Sequence, residues 1–154
     1  MNLTFLRTDA HHPDFQELVG LLDADLARRD GEADHAFYAQ FNGIQQLNQA
    51  VVAYLGEAAV GCGAIKPQGE AAMEVKRMYV RESHRGQGIA QQILAHLETW
   101  AKELGYPACV LETGKRQPEA IRLYEKADYQ RTANYGQYLG VDNSVCFRKE
   151  LIHP

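Results

Sequence analysis

Arg85-Gly86-Gln87-Gly88-Ile89-Ala90 lies between a strand pattern and a helix pattern, and the fold turns on how this stretch is read. Two glycines let the backbone turn tightly and approach a ligand closely. The helix that follows leaves the N–H groups of its first turn without helical partners. Those groups and the helix dipole together make an anion site. Arg85 adds a cation at the edge of the loop. The chemistry suits a pyrophosphate.

Two common pyrophosphate loops do not fit. A P-loop needs Gly-Lys-Ser/Thr, which the chain lacks. A dinucleotide fold needs GxGxxG after an opening strand, with an acid about twenty residues on. Here Gly86-Gln87-Gly88 is followed by Gln91 and falls mid-chain.

Working outward, Met73 to Val80 reads as the strand before the loop. Ile89 to Leu104 reads as a helix with Ile89, Ala90, Ile93, Leu94, Leu97, Ala101 and Leu104 on one face. Gly105 and Pro107 stop it. Ala108 to Glu112 is the next strand, and Pro118 opens a helix through Ala127. Tyr129 to Thr132 and Ser144 to Leu151 are the last strands. Upstream, Leu3 to Arg7 is a first strand and Asp14 to Arg29 a helix that Gly31 breaks. Ala36 to Leu47 reads as a second helical region. Ala50 to Leu55 and Ala58 to Lys66 form a hairpin about Gly56-Glu57, and Pro67-Gln68-Gly69 is a second turn. The expected fold is one α/β domain over residues 1–154. Its sheet is mixed and mostly antiparallel, with flanking helices. Strand–helix–strand from Met73 to Glu112 supplies the one parallel pair.

Three blocks carry a resemblance. Arg85-x-x-Gly88-x-Ala90 resembles the Q/R-x-x-G-x-G/A signature of the GNAT superfamily of N-acetyltransferases. Glu74-Val75-Lys76-Arg77-Met78-Tyr79-Val80 resembles that family's fourth strand. Ala120-Ile121-Arg122-Leu123-Tyr124-Glu125-Lys126 resembles its later helix, written A-x-x-L-Y-x-K. The blocks stand in the family's order and spacing from Glu74 to Tyr129, and Ser144 to Leu151 matches its terminal strand loosely. Two positions depart: Asp128 replaces the usual glycine before the aromatic Tyr129, and Gln117 replaces a common asparagine.

The resemblance implies direct attack of an amine on the thioester of acetyl-CoA, the cosubstrate, without a metal. An alkylammonium with a reference pKa near ~10 must first lose a proton. Glu74 is the candidate base, acting directly or through a water; its alternative is a solvated or salt-bridged strand residue. The oxyanion needs a hydrogen-bond donor, and the leaving thiolate needs a proton or a donor. Tyr124 is the candidate acid by resemblance, and a core aromatic otherwise. Phenol titrates near ~10 and a thiol near ~8.5, so full proton transfer is uphill by about 2 kcal/mol and favours hydrogen bonding alone. The backbone of Met78, Tyr79 and Val80 is implied to hold the pantetheine arm. Arg85, Gly86, Gln87, Gly88, Ile89 and Ala90 form the phosphate loop, with Gln117 and Lys126 as further cofactor candidates; Lys126 equally suits a solvated face.

For the acceptor, strand alternation puts Lys76 and Arg77 on opposite faces, so that only one points into the cleft. That one is a candidate partner for a substrate carboxylate, or else a surface charge. Tyr135 is the leading aromatic candidate, beside Phe37, Tyr38, Phe41, Asn134 and Tyr138. The reading is transfer to a primary amine of a small, amino-acid-like molecule. Transfer to a protein or peptide amine is the alternative, and a non-catalytic acyl-CoA sensor is a third reading.

Composition sets the outer bounds. With 154 residues, the chain can bury one sizeable core. No stretch approaches the ~20 apolar residues of a membrane span, and the N-terminus lacks a signal-peptide layout. These point to the cytoplasm and to no membrane partner. A net charge of −4 argues against nucleic acid. Cys62, Cys109 and Cys146 sit in apolar strand patterns without CxxC spacing and read as buried hydrophobes. The histidines show no metal spacing, and His84 reads as a turn residue. Oligomeric state stays open, a homodimer included.

Overall fold

A computed structural model of the chain describes residues 2–39 and 47–151; for residue 30 and residues 32–39 it describes the backbone alone. The elements are β1 (Leu3–Thr8), α1 (Pro13–Ala39), β2 (Gln49–Leu55), β3 (Ala58–Gln68), β4 (Ala72–Val80), α2 (Ile89–Glu103), β5 (Ala108–Gly114), α3 (Pro118–Lys126), β6 (Gln130–Thr132) and β7 (Ser144–Glu150). Gly31 breaks α1 as its sequence predicts, at φ 78 and ψ 170. The helical region expected over Ala36 to Leu47 continues α1 as far as Ala39; residues 40–46 lie outside the described residues, and Leu47 is not helical. Pro67 belongs to β3 rather than to a turn and sits opposite Met73. It lies beyond the last β2 partner, Gln49 opposite Ile65. There its missing N–H costs no ladder bond.

The strands form one sheet in the order β1-β2-β3-β4-β5-β7-β6. All neighbours are antiparallel except β4 and β5. Strand alternation gives the sheet two apolar faces. Val51, Ile65, Met73 and Val75 pack with Ile89, Ile93, Leu94 and Leu97 of α2 on one. Val52, Cys62 and Ala64 pack with Phe15, Leu18 and Val19 of α1 on the other. Each fully buried leucine there contributes roughly 1.5–3 kcal/mol. Leu104, expected on the buried face of α2, is 44% exposed because the helix ends at Glu103. All three cysteines are free and buried.

Two irregularities in the middle of the sheet position the site. The β4–β5 ladder runs only from Ala72↔Ala108 to Glu74↔Val110. Beyond it β4 continues to Val80 without β5, so the strands part. The second irregularity is a bulge. Cys62 faces Tyr79 while Ala64 faces Lys76, which leaves one extra residue on β4. Arg77 adopts φ 59 there, a left-handed conformation uncommon for a large side chain. The bulge overturns the expectation that Lys76 and Arg77 lie on opposite faces. Lys76 shares the face of Glu74, its ion-pair partner, and Arg77 also turns toward α1, where it pairs with Asp23 and donates to Val19 O at 3.4 Å.

Candidate active site

Where β4 and β5 part, two cavities meet. The larger, about 540 Å³, is an open cleft. Its walls include Met78, Tyr79 and Val80 of β4, the loop through Arg85, Gly86 and Gly88, and Ile89, Ala90 and Gln91 of α2. Gly88 caps α2 at φ 79, and a side chain added there would meet nothing within 4 Å. The glycine is therefore required by backbone conformation, not by crowding in the protein itself. Arg85 donates from Nε to Val80 O at 2.8 Å and lies over the Tyr79 ring, 5.3 Å from its centroid. Arg29, Arg122, Lys126 and His84 also line the cleft, as do Asp25 and Glu119. Arg29 is paired with both acids.

The smaller cavity, about 110 Å³, is a chamber on the α1 face. Alternation carries Glu74 and Lys76 of β4 and Glu112 of β5 into its walls, and Leu22 and Leu26 of α1 cover it. Glu74 is almost wholly buried. Its Oε2 accepts a hydrogen bond from Tyr135 Oη at 2.6 Å. Its Oε1 has no hydrogen-bond partner, and Lys76 Nζ at 3.8 Å supplies charge without a bond. Burial pushes the Lys76 ammonium below its ordinary pKa, with Glu74 pulling the other way. Glu112 Oε2 accepts from Ser144 Oγ at 2.7 Å. Burial, and then the charge on Glu74, raises the Tyr135 phenol.

Leu22, Met78, Gln117, Ala120 and Tyr124 line both cavities. Tyr124 is thus at the junction. It is fixed by the end of α3: Tyr129 N–H donates to Tyr124 O at 3.0 Å and Asp128 N–H to Glu125 O at 3.2 Å. This is a Schellman closure, with the Tyr124 and Tyr129 rings meeting edge-on at 5.9 Å. Asp128 takes φ 72, the conformation glycine would take at no cost. Burial, reinforced by Glu112, raises the Tyr124 phenol, which weakens it as an acid and leaves it a hydrogen-bond donor.

Most of the residues singled out by sequence converge here. Gln87 is exposed and outside the cleft walls, and Tyr135 stands behind Glu74 rather than on the chamber wall. Asn134 Nδ2 donates to Tyr138 O and Val141 O and holds the loop that carries both tyrosines. Tyr138 does line the chamber. Phe41 and the side chains of Phe37 and Tyr38 lie outside the described residues. Sequence reading missed Glu112, Thr113 and the α1 residues Leu22 and Leu26. Glu112 had no local signal: it falls two residues past Val110, on the same face, and only the β4–β5 register sets Val110 opposite Glu74. Among the described residues no group of three or more His, Cys, Asp or Glu side chains could hold a metal ion. No described helix is long and apolar enough to cross a membrane.

Known proteins share this architecture. The acetyltransferase (GNAT) family matches residues 13–129. The IAA acetyltransferase of Azospirillum brasilense is 32% identical over 136 residues, covering 85% of this chain and 89% of that protein. A solved protein of Klebsiella pneumoniae subsp. pneumoniae, assigned as an acyl-CoA N-acyltransferase, superposes with a TM-score of 0.82 at 30% identity, over 97% of this chain and 98% of the other. A GNAT family acetyltransferase from Elizabethkingia anophelis, solved with acetyl-CoA bound, superposes with a TM-score of 0.68 at 20% identity, over 97% and 98% of the two chains. The N-acetyltransferase family 8 member 2 of Rattus norvegicus is 38% identical over 69 residues; the match covers 45% of this chain and 30% of the rat protein.

Proposed function

This chain belongs to the GNAT family of acetyltransferases, and from that premise we propose that it moves an acetyl group from acetyl-CoA to the primary amine of a small molecule by direct attack. The observation that carries the reading is Tyr124 at the junction of an open, cation-lined cleft and a smaller chamber lined by buried polar groups. The cleft fits a long phosphorylated cosubstrate. The N-terminus of α2 offers free N–H groups, and nothing crowds the approach to Gly86 or Gly88. Arg85, Arg122 and Lys126 supply cations, and the edge of β4 beyond Glu74 lacks a strand partner for a pantetheine arm to replace. Bound there, acetyl-CoA supplies an activated acyl group.

The chain's own residues then have three tasks. Glu74 takes a proton from the incoming ammonium, directly or through a water. The chamber orients the freed amine toward the thioester carbon. Tyr124 donates a hydrogen bond to the sulfur as the N–C bond forms and the C–S bond breaks. Of the two protons the ammonium gives up, one ends on the thiol and the other reaches solvent. Free-thiol release from acetyl-CoA, measured over a panel of amino acids, polyamines, aminoglycosides and short peptides, tests the proposal. Release with one or more small amines is expected. Release with peptides alone would move the assignment to a protein substrate. Tight CoA binding with no release across the panel would make the chain a sensor.

A further inference from the structure

The chamber holds two buried polar atoms of opposite character, each without a hydrogen-bond partner: Glu74 Oε1, an acceptor, and Arg77 Nε, a donor. Both residues are among its lining, and both are more than nine-tenths buried. An unsatisfied polar atom at such depth costs about 1–3 kcal/mol, so two in one cavity point to a ligand that satisfies both. We infer that the chamber is a cage for a compact zwitterion, with the acceptor's ammonium at Glu74 and its carboxylate at Arg77. This deepens the proposed transfer to a small amine and rests on it.

The backbone supports the assignment. A regular strand would turn Arg77 toward α2 and the apolar core. The bulge at φ 59 brings it instead to the face of Glu74 and Lys76. Strain of that kind persists where the surrounding structure enforces it. Asp23 and Val19 O occupy the outer Nη2 nitrogen of Arg77 and hold the guanidinium in place while Nε stays unbonded. Lys76, whose Nζ lies 3.8 Å from Glu74 Oε1, and Glu112 add one further charge of each sign to the chamber walls. The balance of charge matches a ligand that carries one of each. Size sets the rest. At about 110 Å³ the chamber is far smaller than the roughly 300–1,000 Å³ of drug-sized ligand sites, which suits a small amino acid better than an aminoglycoside.

The test pairs compact amino acids with the same molecules lacking the carboxylate: glycine with methylamine, alanine with ethylamine, serine with ethanolamine, β-alanine with ethylamine. Binding to the CoA-saturated protein is measured by calorimetry and acetylation by thiol release. At least one amino acid should bind ten-fold or more tightly than its decarboxylated partner. Arg77→Lys should remove that preference while keeping the charge opposite Asp23. If Arg77→Lys does not fold, Lys76→Met is read in its place and should reduce the preference. Equal or tighter binding of the decarboxylated member in every pair overturns the cage, even if thiol is released. A ten-fold preference in binding with no thiol release from any amine supports the cage and instead overturns the proposed transfer.

Discussion

The cleft and the chamber meet at five residues and are otherwise built on different principles. Half of the cleft's lining comes from one stretch, Met78 to Gln91, with α3 as its far wall and Leu22, Asp25 and Arg29 of α1 at its margin. In the proposed binding mode its grip on phosphate comes from backbone N–H groups and from cations at an open surface, where each pair is worth little by itself. The chamber draws on α1, β4, β5, α3 and the turn at Tyr138. Its groups are ionisable side chains taken out of water, where an unpaired charge is expensive. A shared cosubstrate can thus be held by a portable local element. On the proposed reading, selection among acceptors is left to a cavity whose walls come from distant parts of the chain.

Tyr124→Phe should have the largest effect, because it acts where the two regions join. The ring contacts with Tyr129 and Phe147 are retained. Turnover should fall by about one to three orders of magnitude, the range of general-acid and hydrogen-bond contributions. CoA affinity and thermal midpoint should move little. A variant with normal turnover but weaker CoA binding would make Tyr124 part of the cleft alone and dissolve the junction.

Next in size is Gly88→Val, which addresses the cleft by itself. With φ 79, valine must either strain by about 1–3 kcal/mol or pull the loop out of shape. CoA affinity measured by calorimetry should fall about ten- to a hundred-fold, in line with that strain. Gln91→Ala, on the same cleft wall, should change it only a few-fold. Equal CoA affinity in the wild type and Gly88→Val would mean that side chains, not backbone, hold the pyrophosphate, and the contrast with the chamber would disappear.

The smallest effect is expected at Asp128, which belongs to neither cavity wall. Asp128→Gly relieves a left-handed aspartate at φ 72. It also frees the unfolded chain, so the net gain should be about 0.5 kcal/mol. A urea midpoint shifted upward with unchanged kinetics would show that the α3 closure positions Tyr124 whichever residue occupies the turn. A loss of turnover would tie Asp128 to the site.

The glycine loop before α2, the apolar face of α2, and Tyr124 within its motif were legible from the sequence. Each depends on residues within a turn or two of one another. Glycines, helical spacing and helix ends have the same meaning wherever they fall in a chain. Glu74 was legible as a candidate for the same reason, but its hydrogen bond from Tyr135 joins residues 61 positions apart and has no local signature. The face of Arg77 was misread because a period-two rule fails at a bulge, and the bulge appears only when β3 and β4 are set in register. The parting of β4 from β5 after Glu74 and Val110 likewise depends on how two strands pack across an intervening helix. By itself, then, the sequence determined the mixed fold, the order of its elements and the glycine turn that opens α2, because these follow from local backbone geometry and periodicity. The tertiary structure alone decided which charged side chains face one another in the chamber, because burial and charge pairing are set by distances between segments far apart in the chain.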